Sequence, residues 1–592
     1  MKETLVYDTE VYRDYFLLSF RNIATGKVRH FEMFEGQSFD IDTVRRVMRT
    51  YRLVSFNGIN FDLPLVTMAI GGASCAAIKK VSDKIIKNNL KAWALGIESV
   101  VCDHIDLIEV APGIASLKIY GGRLHCPKMQ DLPIDPDESI TPAMRVDLRT
   151  YCENDLETTE ALFKQLLPQI ELREKMGEQY GIDLRSKSDA QIAESVIKHE
   201  VEKRSGKRLQ KRDPFALAGE SFSYSVPSFI EYRTDVMRTM LDVVRGATFA
   251  IASNGQVKMP KEIADLKIKV GKSVYRMGIG GLHSSEKCAA HFTDDEHFLV
   301  DRDVASYYPS IILNCNLKPA HMGEHFTAVY RSIVQRRLAA KKAGDKVEAD
   351  SLKITINGSF GKFGSPYSAL YSPKLLIQTT VTGQLCLLML IESLEQEGIP
   401  VVSANTDGIV IKCPRTKKDM MDFIVWEWEH ATGFDTEDTH YAALYSRDVN
   451  NYVAIKAGQG FKTKGAYAPA GLQKNPTNEI VSTAVVKFLR DGTPVETTIN
   501  ECDDVSKFVT IRSVQGGAVK GEQYLGKAIR WYYASGETGT INYKVNGYTV
   551  PRTEGAKPLM QLPKGMPHDL DRDWYIAEAH AMLSNIGATK KD

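Results

Sequence analysis

The feature that most constrains this chain is its length. It has 592 residues, whereas one hydrophobic core rarely serves more than about 250–300 residues, so we expect two or more domains. Hydrophobic residues make up 43% of the chain and charged residues 25%, which is the balance of an ordinary globular protein and excludes a disordered one. The sequence has no internal repeat or low-complexity block, so a repeat architecture is excluded as well.

Other bulk properties exclude further classes. The chain has no basic start followed by an apolar segment and no window of about eighteen consecutive apolar residues, so we expect a cytoplasmic protein without a membrane span. Its nine cysteines are scattered and never spaced as Cys-x-x-Cys, which predicts a reducing compartment and no zinc site. The net charge of +1 neither indicates nor excludes a nucleic-acid partner.

Three acidic clusters lie in the first 160 residues. They are Asp8-Thr9-Glu10, Asn60-Phe61-Asp62 and Tyr151-Cys152-Glu153-Asn154-Asp155. Asp8 and Glu10 are two apart on a predicted strand, so their carboxylates project from one face. Tyr151 and Asp155 share a face of a helix predicted over 142–165. Carboxylate oxygens suit Mg²⁺ or Mn²⁺, and paired ions of this kind support phosphodiester hydrolysis.

Any one of these clusters is more often an acid at a strand end or on a helix face than a metal site. Taken in order, the three resemble the motifs of the DnaQ-like 3′→5′ exonuclease domain that has tyrosine in its third motif. The resemblance implies an RNase H-like exonuclease domain over 1–168. Its catalytic residues would be Asp8, Glu10, Asp62, Tyr151 and Asp155, with the four acids as metal ligands. Asp103 and Asp106 lie between the motifs, and we assign them structural roles.

A second set of motifs begins at Asp303. The segment Asp303-Val304-Ala305-Ser306-Tyr307-Tyr308-Pro309-Ser310 resembles motif A of family B DNA polymerases. Fifty residues after Asp303, Lys353 begins the segment K-I-T-I-N-G-S-F-G, which resembles motif B. A further 54 residues on, Asn405-Thr406-Asp407-Gly408 resembles motif C. The chain therefore resembles a family B DNA polymerase of phage type.

Nucleotidyl transfer depends on positioning and on neutralising phosphate charge. We therefore assign the catalytic metal-binding carboxylates to Asp303 and Asp407, at the ends of adjacent strands. Arg337, Lys341 and Lys353 are assigned to the triphosphate, although a solvated helix face is the alternative for the first two. The resemblance implies further roles: Val304 beside the metal ions, Tyr308 under the sugar, Asn357 and Phe360 at the nascent base pair, and Lys464 at the primer terminus.

Three details qualify the resemblance. Phe360 stands where the family has tyrosine, so ring stacking is kept and the phenol's hydrogen bond is absent. Motif C has Asn405 and Gly408 where the family has aspartate and serine, but the family's indispensable second aspartate is present as Asp407. The pair at 280–281 resembles the family's template-binding Tyr-x-Gly-Gly element, with an ordinary loop as the alternative.

The fold class expected is a multidomain α/β protein, in which the exonuclease domain precedes a right-hand polymerase. The expected segments are a connector at 169–285, palm at 286–325 and 366–465, fingers at 326–365, and a thumb at 466–592. Within the thumb, the basic and aromatic side chains of 527–533 are expected to follow the duplex backbone. The short gaps between motifs leave no room for the insertions of the protein-primed branch, so ordinary primer use is expected.

The function expected is template-directed DNA synthesis with proofreading. It would use primer–template DNA, dNTPs and two Mg²⁺ ions per site, with Mn²⁺ as a substitute. A helicase, a clamp or a single-strand binding protein are the expected partner classes, and a phage-encoded enzyme would act in the host cytoplasm. Two alternatives stay open. One is an exonuclease whose polymerase half only binds DNA, which Asn405 favours, and the other is a non-catalytic replication scaffold.

Overall fold

The computed structural model describes residues 2–210 and 213–588. The chain forms two compact units of mixed α and β structure, which confirms the expected multidomain α/β class. The first unit comprises Met1–Ser188, Pro469–Ile480 and Asn500–Tyr575. The second comprises Asp189–Ala468, Val481–Ile499 and Ile576–Asp592.

The strands are numbered in chain order. They are β1 (Thr4–Val11), β2 (Phe16–Asn22), β3 (Val28–Met33), β4 (Arg52–Ser55), β5 (His104–Asp106), β6 (Ser221–Ser223), β7 (Thr248–Ala250), β8 (Ile268–Val270), β9 (Ser273–Met277), β10 (Leu282–Ser284), β11 (Ala289–Phe292), β12 (His297–Val304), β13 (Val401–Asn405), β14 (Gly408–Pro414), β15 (Thr436–Asp448), β16 (Asn451–Lys456), β17 (Phe461–Lys464), β18 (Thr510–Lys520), β19 (Gln523–Tyr533), β20 (Asn542–Tyr543) and β21 (Ala556–Pro558).

The α-helices are numbered in the same way. They are α1 (Ile41–Thr50), α2 (Asp62–Ile70), α3 (Cys75–Lys87), α4 (Leu117–Arg123), α5 (Pro142–Tyr180), α6 (Asp189–Ser205), α7 (Asp235–Gly246), α8 (Lys261–Ala264), α9 (Tyr307–Asn314), α10 (Gly323–Ala343), α11 (Lys346–Phe363), α12 (Pro373–Gln396), α13 (Lys418–Thr432), α14 (Glu479–Asp491), α15 (Val495–Asn500) and α16 (Arg572–Ser584).

The first unit is built on a mixed sheet in the order β3-β2-β1-β4-β5. β1 pairs antiparallel with β2 and parallel with β4, which in turn runs parallel to β5. Alternate residues of β1 enter different cores. Leu5 and Tyr7 pack with residues of α1 to α3, whereas Val6 packs with α4 and α5. Asp8 and Glu10 continue the face of Val6, so they project toward α5.

The helix predicted over 142–165 is longer than expected and continues to Tyr180. Thr141 caps its start by accepting a hydrogen bond from the Met144 amide, and Gly181 ends it in the left-handed conformation with φ of 68°, which glycine adopts without steric cost. Pro168 lies inside the helix rather than ending it. Residues of α5 on both sides of Pro168 are buried, and this burial outweighs the tendency of proline to end a helix.

The second unit is built on a larger sheet in the order β17-β16-β15-β12-β14-β13-β10-β9-β8, with β11 added beside β15. β13 and β14 form a hairpin around 405–408, and β12 lies antiparallel beside β14. α10 and α11 form a pair of helices within the segment expected as fingers. Gly344, with φ of 73°, ends α10, and the Asp345 side chain caps α11.

The core of the second unit contains the apolar helix α12. By length and composition it is apolar enough to cross a membrane, but its apolar window is 100% buried inside the protein. Leu385, Leu388 and Ile391 pack against Trp428 of α13 and other apolar residues of this core. A buried core helix can meet the same length and composition criterion as a membrane-spanning helix, so α12 is weak evidence for a membrane span.

A third sheet, in the order β20-β18-β19-β21, lies in the first unit. The run at 527–533, expected to contact DNA, forms most of β19, and its side chains from 528 to 533 are buried, so that expectation is wrong for them. Arg530 is fully buried and donates to the carbonyls of Cys126, Pro127 and Leu559. β19 is a central strand, so its aromatic residues are buried in a core. The sequence of residue types alone does not show whether such a strand is central or exposed.

The segment predicted as the thumb, 466–592, is divided between the two units. Ile511 and Ala528 of the third sheet pack with Ile119 and Met129, which explains why this sheet groups with the first unit. The other predicted segment boundaries stay predictions.

Candidate active sites

The first unit brings together the acids Asp8, Glu10, Asp62 and Asp155, here called the first carboxylate cluster. Asp8 and Glu10 extend from β1, Asp62 begins α2, and Asp155 lies on α5. Asp62, Glu10 and Asp155 are 2%, 8% and 7% exposed. Thr9 fixes Asp62 by donating its hydroxyl hydrogen bond to Oδ1 at 2.5 Å. The four acids predicted as metal ligands therefore meet at the junction of one sheet and two helices.

Burial and mutual repulsion disfavour ionisation of this cluster. Burial raises the pKa of Asp8 and Glu10, and the neighbouring charges of Asp62 and Asp155 add to it. Burial raises the pKa of Asp62 to about 7, even though the hydrogen bond from Thr9 opposes the shift. All four acids of this water-poor site can be ionised at the same time only if a cation is bound among them.

Lys118 on α4 is a part of this site that motif matching missed. Its ammonium donates to the Tyr151 hydroxyl and, at 2.9 Å, to the Gln130 carbonyl, and its charge acts to lower the pKa of Glu10 and Asp155. Burial, followed by the charge of Asp155, raises the pKa of Tyr151, so this phenol stays protonated. The sequence around Lys118 does not indicate its role, because that role depends on a contact with a residue 33 positions away.

A thiol also belongs to this site. One ligand atom from each of Asp8, Glu10 and Cys152 lies within 4.8 Å of the other two. Cys152 is fully buried and also packs with the apolar residues around Leu148. Burial raises the pKa of the Cys152 thiol, so the oxygens of the carboxylates are the donors that fit a hard divalent ion here.

Asp103 and Asp106 have the structural roles expected of them. Asp106 accepts hydrogen bonds from the amides of Asn57, Ile59 and Ile108. Asp103 accepts from Arg185. Both carboxylates are therefore occupied in fixing loops of the first unit.

The second unit holds Asp301, Asp303 and Asp407, here called the second carboxylate cluster. Asp303 lies directly across from Gly408 in the β12–β14 pair, and the Val304 amide donates to the Asp407 carbonyl at 2.8 Å. This pairing places Asp407, at the hairpin tip, beside Asp303. Burial raises the pKa of both carboxyls, and the charge of Asp301 adds to the rise. The predicted pair thus converges, with Asp301 as a third acid that motif matching missed.

The hairpin tip is shaped around this pair. Thr406 has φ of 60°, an unusual conformation for a β-branched residue that marks local strain. A Cβ on Gly408 would lie 2.2 Å from Asp303 Oδ1. A residue with a side chain at this position would therefore clash with the Asp303 carboxylate. The Asn405 amide donates to the Val449 carbonyl at 3.0 Å, a backbone contact that an aspartate could not make.

Two lysines of β17 extend over the second cluster. Lys462 Nζ lies 3.1 Å from Asp301 Oδ2 and 3.6 Å from Asp303 Oδ2, and Tyr441 also donates to Asp301. Although burial acts to lower it, the charge of Asp301 raises the pKa of Lys462. Burial lowers the pKa of Lys464, while the charge of Asp407 opposes that shift. Lys464 lines a cavity of about 180 Å³ together with both predicted aspartates. Of the two lysines, Lys462 is the one that forms ion pairs with the acids.

A second cavity, of about 420 Å³, opens on the other side of Asp407. It is large enough for a nucleotide, and we call it the nucleotide cavity. Four predicted substrate residues line it, Tyr308, Arg337, Asn357 and Phe360, together with Val304, which was predicted beside the metal ions. The rings of Tyr308 and Phe360 stack with centroids 4.3 Å apart, and the Tyr308 hydroxyl donates to the Gly280 carbonyl at 2.8 Å. Arg337 is held by a hydrogen bond to Ser306 at 3.0 Å.

The other two predicted triphosphate residues do not line this cavity. Lys341 is exposed and lies 3.3 Å from Glu437, and Lys353 is exposed one helical turn before Asn357 on α11. Their assignment stays a prediction. Phe360, in contrast, keeps the stacking expected of it.

Comparison with known proteins links part of the chain to a DNA polymerase. No family model matches the chain. DNA polymerase 1 of Aeropyrum pernix is 25% identical over 225 residues, which is 32% of this chain and only 23% of that relative's length. A solved structure of the family B DNA polymerase from Pyrobaculum calidifontis aligns over 100% of this chain and 79% of its own, with 15% identity and a TM-score of 0.41.

Proposed function

We propose that this chain is a family B DNA polymerase that extends a primer on a DNA template and removes 3′-terminal nucleotides at a separate site. The observation that carries the proposal is the convergence of Asp303 and Asp407, of which Asp407 lines the nucleotide cavity. Two acids beside a cavity of nucleotide size, lined by an arginine and stacked aromatic rings, suit the positioning of a triphosphate.

In the polymerase reaction, the primer 3′-hydroxyl attacks the α-phosphate of a dNTP and pyrophosphate leaves. Asp303 and Asp407 would hold two divalent ions, which supply a lowered pKa for the hydroxyl and a counter-charge for the phosphates. Arg337 faces the triphosphate, and its bond to Ser306 keeps its guanidinium in place. Tyr308, fixed by Phe360 and by the Gly280 carbonyl, occupies the space that a 2′-hydroxyl would need.

The first carboxylate cluster is the proposed exonuclease site. Its carboxylates would hold the ions expected for phosphodiester hydrolysis, and Tyr151 would orient the attacking water. The Tyr151 phenol stays protonated and can therefore donate to that water. Lys118, which donates to Tyr151, fixes the phenol and balances part of the acidic charge.

The finer assignments extend this proposal. A polymerase of phage type with ordinary primer use, a palm at the second carboxylate cluster, and fingers formed by α10 and α11 agree with the motif order and the helical pair. Primer–template DNA and dNTPs are the proposed substrates, with Mg²⁺ or Mn²⁺ as cofactor. A clamp, helicase or single-strand binding protein, and action in a host cytoplasm, are proposed with them.

Primer extension tests the proposal. A labelled primer on a longer template is incubated with the protein and Mg²⁺, with all four dNTPs or with none. We expect full-length extension with dNTPs and shortening of the primer without them. Shortening under both conditions would favour the exonuclease alternative. Binding of the duplex with neither activity would favour the scaffold.

A further inference from the structure

Asp301 is the buried acid of the second carboxylate cluster. Its side chain is 7% exposed, whereas that of Asp303 is 49% exposed. The two residues are two apart on β12, so their carboxylates project from one face of the sheet. Tyr441 of β15 donates its hydroxyl hydrogen bond to Oδ2 of Asp301, and the Lys462 ammonium donates to the same oxygen at 3.1 Å. Two donors thus fix a carboxylate that water hardly reaches.

Lys462 lies between two acids. Its Nζ is 3.1 Å from Asp301 Oδ2 and 3.6 Å from Asp303 Oδ2. These three side chains line one cavity of about 180 Å³, together with Asp407. The lysine side chain is 42% exposed, and its ammonium is a compact charge on a flexible aliphatic stem. The balance of attraction between the two acids therefore decides where the ammonium rests.

An ammonium on Asp303 competes with a divalent cation for the same oxygens. Carboxylate oxygens are the ligands of hard divalent ions, and a lysine that neutralises the carboxylate weakens that interaction. If Asp301 carried no charge, the acids left among the described residues that line this cavity would be Asp303 and Asp407. The ammonium would then move onto the acids that are proposed to hold the ions.

We propose that Asp301 is a positioning residue: it holds the Lys462 ammonium on its own buried oxygen and thereby keeps Asp303 open to divalent cations. This inference rests on the proposed polymerase function, in which Asp303 and Asp407 hold the ions. Asp301 acts through Lys462, and the hydrogen bond from Tyr441 fixes the orientation of the Asp301 carboxylate. A basic side chain therefore stands close to this site without occupying it.

Binding of Mn²⁺ to the DNA-free protein tests this role, with the unbound ion measured by electron paramagnetic resonance at one fixed pH. Asp301→Asn keeps the size of the side chain and an acceptor for Tyr441, but it removes the charge that holds Lys462. We expect the affinity of the second carboxylate cluster for Mn²⁺ to fall roughly five- to tenfold. The first carboxylate cluster is unaltered in these variants, and the binding that Asp407→Asn loses belongs to the second.

A second substitution separates this role from the plain loss of a negative charge. Lys462→Met removes the ammonium and keeps an unbranched side chain. In Lys462→Met protein, the addition of Asp301→Asn should change the Mn²⁺ affinity by no more than about twofold, because no ammonium is left to hold. In Lys462→Arg protein, Asp301→Asn should keep most of its effect, because a cation is still present. Equal effects of Asp301→Asn in the wild-type and Lys462→Met backgrounds would overturn the proposal.

The single variant Lys462→Met gives an independent check. Without the competing ammonium, the second cluster should bind Mn²⁺ at least as tightly as it does in the wild type. Weaker binding would overturn the proposal, because it would show that the lysine supports the ion site instead of competing for it. This variant changes a partly exposed side chain, so it decides the question even if Asp301→Asn does not fold.

Primer extension gives the corresponding kinetic readout. In Asp301→Asn, the Mg²⁺ concentration at half-maximal rate should rise about five- to tenfold, while the rate at saturating Mg²⁺ should stay within about twofold of the wild type. A lower saturating rate with an unchanged Mg²⁺ requirement would show a merely structural role and overturn the positioning role alone. A wild-type protein that binds Mn²⁺ without extending primers would instead overturn the proposed function.

Discussion

The two carboxylate clusters differ most in their access to solvent. In the first, Asp62 and Asp155 are only 2% and 7% exposed, whereas the Asp303 side chain of the second is 49% exposed. The first cluster has Lys118 close to its acids, and the second has Lys462 within 3.6 Å of Asp303. Burial is the largest influence on the carboxyl pKa values in both clusters, and a lysine opposes it in each: Lys118 in the first and Lys462 in the second.

This difference fits two kinds of phosphate chemistry. A hydrolytic site needs room for one strand end and one water molecule, and an enclosed cluster of acids provides that once cations are present. A synthetic site must admit a new triphosphate in every cycle and release pyrophosphate. The second cluster lies beside a cavity of about 420 Å³, which provides that access. Separate sites of this kind should respond separately to mutation.

The largest expected effect is the loss of synthesis in Asp407→Asn. The substitution removes the carboxylate at the hairpin tip, one of the two proposed to hold the ions, so primer extension should fall at least about a thousandfold. Shortening of the primer without dNTPs should continue at the wild-type rate. Gel analysis of a labelled primer measures both activities in one assay.

The matched control is Asp419→Asn, an exposed acid on α13. It should leave both activities unchanged. Loss of both activities in Asp407→Asn would contradict the independence of the two clusters.

The converse substitution, Asp8→Asn, should abolish primer shortening and spare extension. We expect a loss of at least about a hundredfold, because one carboxylate of the enclosed site is removed. Glu157→Gln, at an exposed position of α5, is the control. Unchanged shortening in Asp8→Asn would place the nuclease activity elsewhere in the chain.

A smaller effect should follow from Lys118→Met, which removes the cation beside the first cluster. Shortening of the primer should slow roughly tenfold. Since the charge of Lys118 acts to lower the pKa of Glu10 and Asp155, its loss should move the acidic limb of the pH–rate profile to higher pH. A slower reaction with an unchanged profile would show that Lys118 acts only on packing.

The parts of the molecule that follow most directly from the sequence are those fixed by local signals. Gly344 ends α10 because glycine adopts the required left-handed conformation, and the turn at 405–408 connects two β-branched runs. The acids of the predicted motifs converge because strand and helix periodicity fixes their faces.

The parts that were missed depend on long-range contacts. Lys462 approaches Asp301 from a strand 161 residues away, and no local pattern distinguishes it from Lys464. Arg530 has the composition expected of a DNA contact, yet it is fully buried and bonds to carbonyls about 400 residues away in the chain. Residue type and spacing cannot specify such partners.

The smallest expected effect is a pH-dependent stabilisation by Mg²⁺. The pKa of Asp62 is raised from 3.8 to about 7, so without a cation the unfolded chain releases this proton first and the free energy of unfolding falls as pH rises from about 4 to about 7. Mg²⁺ competes with the proton and should stabilise the fold at pH 8 but not at pH 5. A gain of about 1 kcal/mol would raise the unfolding midpoint by about 1–2 °C in a molecule of this size. Calorimetry with Mg²⁺ or EDTA measures this. Asp62→Asn should reduce the pH dependence but not abolish it, because the pKa values of Asp8, Glu10 and Asp155 are raised as well. Equal wild-type midpoints at pH 8 would show that the enclosed acids do not bind the ion.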